Sequence, residues 1–229
     1  MMAKKWSNIA DHPAVYLILG DVGEGKTVTA CSVIDEFHHT HKLKTYMVAD
    51  EEIVNKFPKW FKYANPQKPR LGGNSIIFLD DAHLYHYARE WGKGKAKTLD
   101  FIARERRHSG NTIVYTTQQS RVLDVNLISM SSCLVFKRPS KLQLKVERKF
   151  VKDMFTVADN ALKEDGYKIN RAYVVAKDFE GLVTVNKPTW FTDRMSKAHS
   201  KIYSEEKKVN PKSMVKPILK MIKKIGGLL

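Results

Sequence analysis

The sequence predicts an α/β fold, with a mainly parallel sheet and helices on both of its faces. Three observations carry that reading. Apolar runs of strand length recur through the first 140 residues. Helix-periodic or polar stretches separate them, and the runs close on glycine, aspartate or an amide.

Taken in order, Val15-Tyr16-Leu17-Ile18-Leu19 is a continuous apolar run ending at Gly20 and reads as a buried strand. Lys26 to Lys42 places Val28, Cys31, Ile34 and Phe37 at helical spacing. Lys44 to Ala49 is a second strand, closing at Asp50. Residues 51–70 are aromatic and prolyl (Phe57, Pro58, Trp60, Phe61, Pro66, Pro69) and read as a short helix and a loop. Gly72-Gly73-Asn74 precedes a third strand, Ser75 to Leu79, which closes on Asp80-Asp81. A helix from about Thr98 to His108 is stopped by Ser109-Gly110-Asn111. Thr112 to Thr117 and Cys133 to Lys137 are the fourth and fifth strands. Beyond them, Ala172 to Ala176 and Leu182 to Val185 read as a β-hairpin. The expected division is a core over 1–140, an extension of the same domain over 141–195 and a basic tail over 196–229.

Composition narrows the class. The chain has 229 residues, 43% of them hydrophobic, which suits one substantial packed domain and excludes wholesale disorder. Two cysteines, Cys31 and Cys133, exclude a disulfide scaffold and point to a reducing compartment. No apolar run approaches the roughly 18 to 20 residues of a membrane span, and Met1 to Trp6 lacks the apolar stretch of a secretory signal. A soluble intracellular protein is expected. Its 40 Lys and Arg against 24 Asp and Glu leave a net charge of +16, which suits a polyanionic partner.

Gly20-Asp21-Val22-Gly23-Glu24-Gly25-Lys26-Thr27 satisfies G-x-x-x-x-G-K-[ST] at every fixed position. The layout has a physical reason. Glycines let backbone N–H groups curl round phosphates, and the helix that follows offers its positive end. Lys26 would reach the β- and γ-phosphates and the Thr27 hydroxyl would ligate Mg²⁺. These eight residues and the following Val28 are the candidate nucleotide-binding set. A phosphoryl-transfer site also needs a carboxylate at the metal and a group that orients water. Asp80 suits the first role, with Thr27, and Asp81 the second. Asp81 has the shorter reach of Asp beside Glu, and a plain helix N-cap is its other reading. The polar strand end Thr116-Thr117-Gln118-Gln119 puts an amide, Gln118, where a γ-phosphate can be sensed.

Ile102-Ala103-Arg104-Glu105-Arg106-Arg107-His108-Ser109-Gly110, an apolar strand and then Thr117-Gln118 resemble the stretch before the sensor glutamine in FtsK and HerA ATPases. The resemblance continues through Asp124 to Ile128 and Leu134 to Lys137, and with the two nucleotide motifs it covers about residues 15–137. It implies a RecA-like P-loop NTPase core and an ATP-driven double-stranded DNA translocase using ATP and Mg²⁺. The active form would be a homo-oligomeric ring, usually a hexamer. By position, Lys26, Asp81 and Gln118 would be catalytic, with Arg107, or failing that Arg104, completing a neighbour's site. The chain has no room for the accessory domains of cellular translocases, so the resemblance favours the small viral genome-packaging ATPases. Such a protein would work in the host cytoplasm, with or without the virion. A zonula-occludens-toxin-like ATPase extruding phage DNA at a membrane is the first alternative, and a nucleotide-switched nucleic-acid-binding adaptor the second.

From Lys197 onward there are nine lysines against Glu205 and Glu206. Met214, Val215, Ile218, Met221, Ile222 and Ile225 form an apolar stripe opposite Lys216, Lys220, Lys223 and Lys224. Such a basic amphipathic helix packs on its own domain, docks on a capsid or virion-membrane component, lies on an anionic membrane or follows DNA. Lys93, Lys95 and Lys97, just after the acidic strand, are candidate pore residues for DNA.

Overall fold

The computed structural model describes residues 4–66, 69, 71–81, 109–118, 120 and 125–197. The helix expected over about 98–108 and the basic amphipathic tail lie outside them. The chain divides into two compact units, 1–192 and 193–229. In the second, the described part is one helical turn, Asp193–Ser196.

The first unit is built on one eight-stranded sheet. Its strands are β1 (Val15–Leu19), β2 (Lys44–Val48), β3 (Phe61–Ala64), β4 (Ser75–Leu79), β5 (Thr112–Thr117), β6 (Cys133–Phe136), β7 (Arg171–Ala176) and β8 (Phe179–Thr184). Their order across the sheet is β3-β2-β4-β5-β1-β6-β7-β8. The first six are parallel, and β7 and β8 add an antiparallel hairpin beyond β6. Among the described residues the α-helices of this unit are α1 (Lys26–His41), α2 (Glu51–Val54), α3 (Val125–Ser129), α4 (Lys141–Val146) and α5 (Lys149–Glu164).

Burial on both faces explains the apolar runs. Every residue of β1, β4 and β5 is buried, so no position in them is left for a solvent-facing side chain. One face gathers Val15, Leu17, Leu19, Ile77, Leu79, Ile113, Tyr115 and Phe136 with Val151, Phe155, Ala158 and Leu162 of α5. Those four helix residues recur at i+3 or i+4, the period of one helical face. Phe136 and Phe155 meet edge to face, with centroids 4.8 Å apart. Tyr16 points the other way, towards Phe37 of α1 at 5.8 Å, and its hydroxyl donates to the Ala10 carbonyl at 2.5 Å and to that of Trp6 at 2.9 Å.

Two elements depart from the sequence expectation. Residues 51–70 contain strand β3 as well as the short helix, because Phe61 and Ala64 bury against the sheet while Lys62 and Tyr63 face out. Trp60 and Phe61 also receive Trp190, at 5.4 and 5.6 Å, and Trp190 donates its indole N–H to Asp35 of α1 at 2.6 Å. The other is the stretch between β6 and the hairpin, which holds α4 and the sixteen-residue α5. Among the described residues no helix is long and apolar enough to cross a membrane.

At the carboxyl end of β1 the packing leaves no spare volume. Lys137 N–H donates to the Leu19 carbonyl at 2.7 Å, and a Cβ on Gly20 would sit 2.6 Å from the Lys137 Cβ. Gly20 also has φ +154°. Gly20→Ala must therefore push two central strands apart. It is expected to cost about 2 to 4 kcal/mol, read as a fall in Tm of roughly 5 to 15 °C by calorimetry.

Candidate functional site

The strand ends converge on one edge of the sheet. Ile18 is level with Thr116 and Leu19 with Thr117, while Leu79 is level with Tyr115. The residues that follow each strand, Gly20, Gln118 and Asp80, thus emerge side by side.

Residues 20–25 form the turn between β1 and α1. Gly23 and Gly25 take φ +80° and +81°, a region that side chains with a Cβ rarely adopt. Gly25 caps α1, and its carbonyl accepts from the Thr29 N–H at 3.0 Å and the Thr29 hydroxyl at 2.8 Å. Asp21 N–H is tied to the Arg138 carbonyl at 3.0 Å. Val22, at the crest, is 67% exposed. Lys26 is buried and donates to the Asp21 carbonyl at 2.8 Å, curling back over the loop it belongs to. Burial pushes its ammonium below the ordinary lysine range, opposed by the carboxylates of Asp81, Asp80, Asp21 and Glu24. The Lys26 ammonium, the glycine turn at residues 20–25 and the amino end of α1 together fit a polyphosphate.

Asp80 is 3% exposed. Its carboxylate accepts from the Thr27 hydroxyl at 3.1 and 3.2 Å and from the Thr116 hydroxyl at 2.7 Å. Thr27, on the first turn of α1, and Asp80, at the end of β4, are hard oxygen donors in contact and would fit a Mg²⁺ ion. Asp81 stands next to it with φ +49°, a left-handed conformation that costs a non-glycine residue on the order of 1 kcal/mol. The Asp81 N–H donates to the Thr116 hydroxyl at 2.7 Å. Thr116 therefore holds the Asp80 carboxylate and the Asp81 backbone at once, donating a hydrogen bond to the first and accepting one from the second.

Gln118 follows directly, half-buried, and its carbonyl accepts from the Gln143 side chain of α4. Two residues on, buried Ser120 donates from its N–H and hydroxyl to Glu147 at 3.2 and 2.5 Å. Arg104, Arg107, Lys93, Lys95 and Lys97 lie outside the described residues.

Four contributing residues were not read from the sequence. Thr116 was visible only as part of a polar strand tip, and Gln143 and Glu147 sit in a stretch with no motif. Lys137 ends a strand of apolar residues, which was a usable signal. It is 1% exposed, and its ammonium donates to the carbonyls of Ile169 at 2.6 Å and Arg171 at 2.5 Å. Burial pushes it down to about 8, against the pull of Glu24.

No family model matches the chain, and no curated protein matches it. Solved structures do. The genome packaging NTPase B204 of Sulfolobus turreted icosahedral virus 2, solved with ATP-gammaS, aligns at a TM-score of 0.51 and 10% identity, over 76% of this chain and 98% of that one. The DNA-packaging ATPase B204 of Sulfolobus turreted icosahedral virus aligns at 0.52 and 14%, over 76% and 98%. The pCW3 conjugation coupling protein TcpA, with ATPgS, aligns at 0.53 and 13%, over 82% of this chain and 65% of that one. At such identities the likeness establishes the fold.

Lys137 makes the stability of that fold depend on pH. Its folded pKa, about 8, lies below its ordinary value of 10.5, so between the two the unfolded chain holds more protons. Stability from this group therefore rises with pH through that window. Lys137→Met should abolish the gain. Denaturant unfolding across the window should show the wild type gaining on the variant by up to about 1.4 kcal/mol per pH unit.

Proposed function

We propose, on the premise that the chain has the fold of the FtsK/HerA-type P-loop ATPases, that it is an ATP-hydrolysing, ring-forming translocase of double-stranded DNA that packages a viral genome. One observation carries the ATPase reading: Lys26, Thr27, Asp80 and Asp81 meet at a single sheet edge, with Thr27 and Asp80 3.1 Å apart. The amides of residues 20–28 and the Lys26 ammonium hold the phosphates. Thr27 and Asp80 would hold Mg²⁺, and the ion would supply neutralisation of charge on the phosphate oxygens. Asp81, kept in place by Thr116, orients the attacking water and accepts its proton. Gln118, on the neighbouring strand end, senses the terminal phosphate.

The DNA task is supported by the net charge of +16 and by neighbours that package or handle DNA. Lys93, Lys95 and Lys97 are assigned to DNA phosphates in the pore. Arg107, or else Arg104, is assigned to the adjoining subunit's nucleotide, and the lysine-rich tail to a capsid or virion-membrane component.

ATP turnover with and without duplex DNA, at protein concentrations spanning ring assembly, tests this function. Turnover is expected to rise with DNA and with concentration, and to fall by about 10² to 10⁴ in Asp81→Asn. Duplex binding should weaken steeply as salt rises from about 50 to 200 mM. A wild type that binds ATP and never hydrolyses it would overturn the motor reading.

A further inference from the structure

The nucleotide site has two flanks. Asp80, Asp81, Thr116 and Gln118 stand on the β4–β5 flank of β1, where the terminal phosphates belong. The other flank of the phosphate loop, beside Gly25 and Val28, faces the segment around residue 169 on the β6–β7 side of β1.

An isoleucine stands there. Ile169 is 63% exposed, and its Cγ1 and carbonyl oxygen lie 3.7 Å from where a Cβ on Gly25 would be. The Val28 Cγ1 lies 3.2 Å from the same point. Gly25, Val28 and Ile169 thus make an apolar step against the phosphate loop.

The step is held in place with unusual effort for a surface loop. The Lys137 ammonium is withdrawn from water to grip the carbonyls of Ile169 and Arg171, at 2.6 and 2.5 Å. Arg171 in turn donates to Asp165 at 3.0 Å and to Thr184 at 2.6 Å. Tyr167 takes a left-handed φ of +51°, donates its hydroxyl to Asp159 at 3.1 Å and lies beneath the Arg138 guanidinium at 4.3 Å. Arg138 and Lys137 both come from the end of β6, the strand that also anchors Gly20 and Asp21. The same two residues therefore place the phosphate loop and the 165–171 loop relative to each other. Val28 and Ile169 thus give the phosphate loop an apolar flank whose backbone Lys137 fixes and whose neighbour Tyr167 packs against Arg138.

We propose that Ile169 is the wall on which the nucleoside of the bound nucleotide packs, and that Lys137 is its positioning residue. The proposal rests on the nucleotide-site reading above and adds the part of the ligand that reading leaves unassigned. Ile169 contacts the nucleoside and not the phosphates, so the two halves of the ligand can be separated by experiment.

The test is calorimetric titration of the full chain with ATPγS and, separately, with inorganic tripolyphosphate, both with Mg²⁺. Ile169→Ala should weaken ATPγS about five- to tenfold through lost apolar contact and leave tripolyphosphate unchanged. Its exposed position keeps the fold intact, so Tm should not move. Lys137→Met should weaken ATPγS by a similar factor, and the effect should vanish in the Ile169→Ala background, because both act on one contact. Equal loss of both ligands in Ile169→Ala, or loss of neither, would overturn the wall while the nucleotide site stands. A wild type that binds neither ligand would overturn both.

Discussion

Everything at the carboxyl edge of this sheet depends on keeping one carboxylate out of water. Asp80 is almost wholly buried, and a buried anion is tolerated only when hydrogen bonds replace its hydration. Its donors include the hydroxyls of Thr27, on the first turn of α1, and Thr116, on β5. The helix that carries the phosphate loop and two central strands are thereby locked together through a single side chain. Thr116 extends the lock to the next residue by accepting the Asp81 N–H. The left-handed turn at Asp81 is the local strain that this arrangement sustains.

A second buried charge does similar work on the other flank of β1. Lys137 lies against Gly20 so closely that no side chain fits there, and its ammonium reaches the carbonyls of residues 169 and 171. Asp80 and Lys137 thus bracket the phosphate loop with opposite charges: Asp80 accepts from two hydroxyls on one side, and Lys137 donates to two carbonyls on the other.

Much of this was legible in the sequence, for identifiable reasons. Strands buried on both faces leave unbroken apolar runs, so β1, β4 and β5 could be read almost to the residue. The phosphate loop could be read because its glycines answer a backbone demand that few other residues meet. The placement of Asp80 and Asp81 could be read because they directly follow an unbroken apolar run. Strand β3 was hidden because an edge strand of four residues buries only Phe61 and Ala64. The supports at Thr116, Gln143 and Glu147 were hidden for another reason. A threonine in a strand or a glutamine in a helix has no local signature, and its value arises only when strands far apart in sequence are set side by side. Lys137 is the intermediate case: a lysine closing an apolar strand is locally odd, but which carbonyls it holds is decided by a loop some thirty residues later.

The pairing of β1 has a consequence for how the chain acquires its shape. The strand is complete by residue 19, yet its neighbours are β5 and β6, and hydrogen bonds at its amino end span 98 and 117 residues. During synthesis this apolar segment emerges well before its partners, which follow only after 98 and 117 further residues. Contacts this distant are slow to close, because the intervening loop must surrender its entropy before any pairing rewards it. The phosphate loop, hung between β1 and α1, therefore has no fixed shape in a nascent chain that stops short of β6. Competence to bind arrives late and all at once, and until then the exposed run from Val15 to Leu19 is the part of the chain most in need of protection from aggregation.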